Sequence, residues 1–380
     1  MKPLQGVRIV SVEQFGAGPY ATMLLADLGA EVIKVENAAI GGDPSRKTGP
    51  FMLGANDSEY YQAFNINKKS VSVDLRTDEG KATLRELAAT ADALLNNLRG
   101  DLPAKLGLEY KSMSEVNPKL VCVHLSAYGR NNERASWPGY DYLMQAESGL
   151  MDLTGEPDKP PARLGAPSII DQTTGLTAAV GLLSAIVQAR STGKGCDVDT
   201  CLLDVALHQL GYTATWYLNE GHVSKRQRRS AHYSVAPVQT FPTTDGWLFV
   251  MCMTDKFWNE FVGGIGRPDL LTDPRFATPT TRQTNRDVLT EIIDGVSINY
   301  QNTDDNNRVA DDGTDSESQV IFPRYTTLAD LGLAQPDALS NCQAVIFAAE
   351  ATTGIVDSEN KPISWIELQP ARVWARRYAQ

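Results

Sequence analysis

The chain has 380 residues, enough to bury a substantial core and to divide into two domains. With 42% hydrophobic and 21% charged residues, its composition is that of a soluble globular protein. A formal net charge of −11 speaks against a nucleic-acid partner, because phosphate binding needs a concentrated basic surface.

Gly6 to Val12 reads as a first strand, so neither a basic leader nor an apolar signal segment is expected before it. The strand runs into Gly16-Ala17-Gly18-Pro19-Tyr20-Ala21 and a helix with Ala21, Leu24, Leu25 and Leu28 on one face. Gly29 ends that helix, and a second strand, Glu31 to Val35, finishes at Glu36. The βαβ unit also imitates a dinucleotide fingerprint, G-x-G-x-x-A after a strand with an acid about twenty residues on. A single short match of this kind is weak, and an NAD-dependent oxidoreductase stays open on it.

Val71 to Leu75 reads as a strand, and Thr77-Asp78-Glu79 starts a helix through Thr83–Ala91. Ala93 to Leu95 and Leu120 to Leu125 supply two more strands. Strands alternating with helices predict a parallel sheet with both faces covered. Ligands bind at the carboxyl ends of such strands, which makes site candidates of the loops Asn96–Gly100 and Ser126–Arg130.

Gly139 to Tyr142 leads a helix through Met144 and Ala146. Glu156 to Pro167 is Pro- and Gly-rich and reads as an extended loop delivering the chain to Asp171. Asp171 is expected just ahead of a helix that is apolar on nearly all faces and therefore buried. There it reads as a plain N-cap or as a sheltered, ionised carboxylate nucleophile. The apolar run Leu176 to Val187 is too short to span a bilayer and reads as a core helix, so no membrane association is expected. The turn Thr192 to Gly195, an alternating segment, Asp204 and a helical stretch through Leu210 to Leu218 follow.

Lys225, Arg226, Arg228 and Arg229 read as a solvated basic loop. Beyond it, Val238–Phe241 and Trp247–Met253 look like antiparallel strands around Thr244-Asp245-Gly246, with helices at Asp255–Val262 and Arg286–Ile293. The segment from Asn299 to Ser318 is almost wholly polar and reads as a disordered loop. One further strand, Gln343–Ala348, is expected in the tail. The five cysteines are odd in number and show no CxxC pair, which fits reduced thiols in a cytoplasmic protein and no structural metal.

The chain resembles the class III CoA-transferase family (formyl-CoA transferase / carnitine CoA-transferase type). The resemblance starts at LQGVRIVSVEQFGAGPYATMLLADLGAEVIKVE and continues through GGDPSR, FNINKKSVSVDLRTDEGK, LGLEYKSMSEVNPKLV and SAYG. It runs on through YDYLMQAESGLMDLTGEPDKPPARLG and TGKGCDVDTCLLD to DPRFATPTTRQTNR, covering roughly residues 4 to 287. The last ninety or so residues do not look like the family.

The resemblance implies an α/β fold with a Rossmann-like large domain (1–220) and a smaller α+β domain (225–298). The ring-shaped monomer would interlock with a second copy as a homodimer. A polar linker (299–318) and an atypical C-terminal segment (319–380) would follow, the latter returning to the large domain in the family. Asp171 matches the catalytic aspartate. Gly16, Ala17, Val73, Arg76, Asn97, Leu98, Arg99, Lys105, Ser126 and Tyr128 fall at or beside coenzyme A contacts. Coenzyme A is then a substrate, with no tightly bound cofactor. Some relatives carry cations at the positions of Ala38 and Ser126, for which Arg46, Lys47 or Arg99 would substitute. Tyr140 and His232 are candidate substrate contacts.

The implied reaction moves CoA from an acyl-CoA to a carboxylic acid through an aspartyl-CoA thioester, with succinyl-CoA and dicarboxylates as the family's guide. A racemase branch places a histidine where this chain has Tyr140, a poor base near neutral pH. A CoA-binding paralogue without catalysis is the remaining alternative.

Overall fold

The computed structural model describes residues 2–296 apart from 166, 244 and 245, together with residue 298 and the backbone of Cys342–Ala344. The chain divides after Arg226 into two units. The first opens with β1 (Arg8–Val12), α1 (Ala17–Asp27) and β2 (Glu31–Glu36), then a hairpin of β3 (Met52–Gly54) and β4 (Asp57–Ser58). Next come α2 (Glu59–Asn65), β5 (Lys69–Ser72), α3 (Asp78–Ala89), β6 (Ala93–Asn96), α4 (Leu102–Leu106) and α5 (Tyr110–Met113). The unit continues with β7 (Val121–Ser126), α6 (Asp141–Glu147), α7 (Ile169–Thr192), β8 (Cys196–Cys201), α8 (Leu202–His208) and α9 (Gly211–Glu220).

Six strands form one sheet in the order β5-β2-β1-β6-β7-β8, every neighbouring pair parallel. Successive side chains point to opposite faces, so each central strand feeds two cores. Ile9, Leu95 and Val123 join α1 and α7 residues such as Leu25 and Leu182 on one face. Val10, Leu94 and Cys122 meet Leu84 of α3 and Leu108 on the other.

Helices α1 and α7 touch at Gly175. A Cβ there would stand 2.6 Å from the carbonyl oxygen of Ala17, so only glycine permits the approach. The inner face of α7 (Ala178, Leu182, Ile186) is buried, but Leu176, Val180 and Val187 are 46%, 65% and 69% exposed. The expectation of burial on nearly all faces therefore fails on the outer face. With 24 residues and a mean hydropathy of 1.3, α7 is also long and apolar enough to cross a bilayer, which its shorter uncharged run did not suggest. Here it is the central core helix of unit 1.

In unit 2, β9 (Val238–Pro242) and β10 (Trp247–Met251) pair antiparallel, and β11 (Cys342–Ala344) runs parallel to β10. Helices α10 (Asp255–Gly264), α11 (Pro279–Thr284) and α12 (Arg286–Asp294) accompany the sheet. Phe241, Val250, Trp258, Phe276 and Leu289 make its core.

Several boundaries differ from expectation for local reasons. Strand β5 stops at Ser72 because its only partner, β2, ends at Glu36. Val73 still donates its N–H to Glu36 O at 2.8 Å, and Val73 and Leu75 both reach the core. The helical stretch from Asp204 to Leu218 is two helices separated at Gln209 and Leu210. The basic loop is not simply solvated: Arg226 donates to the carbonyls of Glu156 and Lys159, and Arg229 pairs with Asp294 at 2.6 Å. The tip Thr244-Asp245 and the segment from Asn299 to Ser318 lie outside the described residues, as does the expected strand beyond Ala344.

Candidate active site

Because all six strands are parallel, the loops after β1, β2, β5, β6 and β7 gather at one edge of the sheet. Helix α7 runs antiparallel to them and begins at that same edge, which brings Asp171 to it. The structure corrects the local reading of this acid. Asp171 is the third residue of α7, not a residue ahead of it, and it does not cap the helix. The cap comes from another element. Asp141, at the start of α6, accepts the N–H of Ile170 at 2.6 Å and of Asp171 at 2.9 Å. Asp141 is buried, and its other oxygen is held by Gln145 Nε2 at 2.6 Å.

Freed from capping, the Asp171 carboxylate accepts no hydrogen bond among the described residues. Burial, and then the negative charge of Asp141, raise its pKa from 3.8 to about 7. Near neutral pH the carboxylate is therefore only partly ionised, short of the fully ionised group expected at a helix start, because burial opposes the charge. A sheltered carboxylate without hydrogen bonds is more nucleophilic than a solvated one once its proton is gone.

Gly16 faces Asp171 directly. A Cβ at residue 16 would collide with Asp171 Oδ2, so the turn after β1 must carry glycine for the carboxylate to sit where it does. The first turn of α1 has no acid and no side-chain cap. Gly16 is thus the residue that opposes the carboxylate, directly before the first turn of α1.

A buried polar network underlies this turn. Asp43 accepts from Phe15 N at 3.2 Å and from Lys34 Nζ at 2.6 Å, with Lys34 and Asp43 both fully buried. Lys68 Nζ donates to Glu13 at 2.9 Å, to Pro19 O at 2.8 Å and to Asn65 at 3.2 Å. The two lysines thus hold the turn at its beginning and its end. Asn97 clamps it from β6, accepting from Gln14 N at 2.9 Å and donating to Gln14 O at 2.7 Å.

Around this centre the remaining predicted residues are placed unevenly. Ser126 is buried and its Oγ accepts the N–H of Gly129 at 2.9 Å. Tyr128 is buried too, with its hydroxyl on Glu147 at 2.8 Å. Tyr140 is 64% exposed and meets the Phe15 ring edge-on, one residue from Gly16. Leu98 packs into the core, and Val73 does the same. Arg76 is exposed and tied to Asp74, while Arg99 and Lys105 share Asp101. His232 belongs to unit 2, where Ser234 N donates to its ring.

Two assignments lose support. Glu36, the acid an NAD site would need for ribose, accepts from Arg46, Tyr61, Ser70 and the N–H of Asp43. Burial pushes its pKa up, but Arg46 and the other donors prevail and hold it at about 2. The same pairing engages the Arg46 fork, which removes it from the candidate phosphate contacts. The residues sequence reasoning missed are Asp141, Gln145, Asp43 and Lys68. Asp141 carried a faint signal, an acid in a first helical turn; the others act through contacts far apart in the chain.

Residues 4–314 match the model of CoA-transferase family III, and the chain belongs to that family. It is an enzyme of the class III CoA-transferase type. A succinate–glutarate CoA-transferase of Agrobacterium fabrum is 35% identical over 307 residues, covering 80% of this chain and 76% of that protein. A succinyl-CoA–D-citramalate CoA-transferase of Chloroflexus aurantiacus is 32% identical over 367 residues, 94% of this chain and 90% of that one. That alignment extends beyond residue 314, so the tail is less foreign to the family than its composition suggests. Among solved structures, a CAIB/BAIF family protein from Brucella suis superposes with a TM-score of 0.69 at 35% identity, covering 79% of each chain.

Proposed function

We propose that the chain transfers CoA from an acyl-CoA donor to a carboxylic acid, with Asp171 as the covalent carrier and dicarboxylic acids as substrates. The observation that carries the reading is the Asp171 carboxylate itself: sheltered, free of hydrogen bonds and opposed by a glycine. The names of the two relatives quoted, both CoA-transferases of short dicarboxylic acids, support the substrate class.

The ionised Asp171 attacks the thioester carbonyl carbon of the donor. The carbon–sulfur bond breaks and CoA leaves as thiolate, giving an acyl-aspartyl anhydride. The thiolate attacks the Asp171 carbonyl carbon, the donor acid departs as carboxylate, and an aspartyl-CoA thioester remains. An acceptor carboxylate attacks that carbon in turn and expels the thiolate, which takes the acceptor acyl group and frees Asp171.

Each attack develops an oxyanion. Asp141 occupies the amides of Ile170 and Asp171, and Gly129 N is taken by Ser126. The first turn of α1, which follows the glycine facing Asp171 and has neither a side-chain cap nor an acid, supplies candidate N–H donors. The exposed stripe Leu176, Val180 and Val187 on α7 supports association with a second copy, as the interlocked homodimer of the family would require.

The reading is tested by mass spectrometry of the intact protein after incubation with succinyl-CoA and then hydroxylamine. A hydroxamate on the peptide carrying Asp171 is the expected product. CoA binding without any adduct across several acyl-CoAs would leave the racemase or the inactive paralogue instead.

A further inference from the structure

Unit 1 contains ten arginines, and nine of them are in ion pairs with carboxylates. Arg163 is the exception among the described residues. Its Nη1 donates to the carbonyls of Leu164 and Gly165, each at 3.1 Å, and its guanidinium lies 5.2 Å from the centre of the Tyr142 ring. Among the described residues Nε and Nη2 have no acceptor. That edge is the one an arginine uses to hold a carboxylate with two parallel hydrogen bonds.

The loop carrying Arg163 is tied to Asp171 by a short relay. Leu164 N donates to Gln145 Oε1 at 2.9 Å, and Gln145 Nε2 donates to Asp141 Oδ1 at 2.6 Å. Asp141 Oδ2 accepts the N–H of Asp171 at 2.9 Å. Tyr142, on which the guanidinium stacks, adjoins Asp141 in the chain. Tyr60 joins the same space: burial first, then the nearby Asp171, Asp43, Tyr142 and Asp141, raise its phenol pKa. An open guanidinium edge and an unbonded carboxylate are therefore mounted on one hydrogen-bonded frame.

We infer that Arg163 grips the far carboxylate of a dicarboxylic acyl group whose near carbonyl carbon lies at Asp171. This rests on the transferase reading of Asp171. Stacking on Tyr142 and the two carbonyl contacts pre-set the fork, so little rotamer freedom is lost when a carboxylate docks. Because Arg163 is exposed, it attracts a second charge without penalising its absence. It favours dicarboxylates by attraction and does not exclude monocarboxylates.

The test compares the full-length enzyme with Arg163→Gln and Arg163→Lys, using succinyl-CoA as donor and glutarate as acceptor. Arg163→Gln should raise both KM values about tenfold or more, given what a charge-assisted pair contributes. Its kcat and its affinity for free CoA, measured by calorimetry, should stay within about twofold, and Arg163→Lys should recover part of the loss. An unchanged KM, or a parallel loss of CoA affinity, overturns the inference even where the Asp171 hydroxamate still forms. A wild-type enzyme that forms no hydroxamate overturns the transferase reading first, and this one with it.

Discussion

Asp141 accepts the main-chain N–H of Asp171 at 2.9 Å, so one acid fixes the backbone of another while its charge opposes ionisation of the second. The same neighbour thus positions Asp171 and adds to the burial that raises its proton affinity. That coupling has consequences for stability and for rate.

For stability, the folded pKa of Asp171 (about 7) lies above its unfolded value of 3.8. The folded state binds more protons between these limits, so this group's contribution falls as pH rises from about 4 to about 7. Asp171→Asn should therefore match the wild type near pH 4 and exceed it at pH 8, by roughly 1–3 kcal/mol. Thermal melts at the two pH values check this; equal differences at both would refute it.

For rate, only the ionised form attacks, so kcat/KM should rise with pH and level off above about 7. Asp141→Asn removes the opposing charge but not the burial, which is the larger cause. The rising limb should move down by part of the full shift, with some loss of kcat from the weakened cap. A limb that stays in place would show that Asp141 does not act on the Asp171 proton.

Gly16→Ala should lower kcat by at least about a hundredfold, because the new Cβ and Asp171 Oδ2 would occupy the same space. The change in stability should be smaller, about 1–3 kcal/mol, as for other overpacked sites. A variant that keeps wild-type turnover would mean the carboxylate can do its work from elsewhere.

Lys68→Met leaves Glu13 buried without its cation and should cost about 3–5 kcal/mol. Adding Glu13→Gln should recover part of that, and the non-additivity in a double-mutant cycle measures the pair. Additive losses would mean that the two side chains are not coupled.

Tyr140→Phe should leave transfer nearly intact, since the ring contact with Phe15 survives loss of the hydroxyl. Near-complete loss in a turnover assay would restore the racemase branch.

The sheet was legible in the sequence because its signal is local: Arg8–Val12, Glu31–Glu36 and Val121–Ser126 are short segments rich in Val, Ile and Leu, bounded by turns and helices. The hairpin Met52–Ser58 and helix α2 gave no such signal, being short and mixed in composition. Asp171 stood out by its context, but its chemical state did not. That state depends on Asp141, thirty residues earlier, whose capping of a foreign helix no helical periodicity reveals. The polar frame of Lys34, Asp43, Asn65 and Lys68 was hidden for the same reason, since each member reads as an ordinary surface residue until the chain is folded.

The order of the strands bears on how the chain is made. Strand β1 is made before the other strands of its sheet yet lies inside it, between β2 and β6, and the glycine after it meets Asp171 only when α7 has docked on α1. Contacts of such long sequence separation form late. A nascent chain shorter than about two hundred residues consequently carries the turn and the network beneath it but no assembled acid centre. The acid centre therefore needs the turn after β1, the start of α6 and the start of α7 together, three segments far apart in the chain.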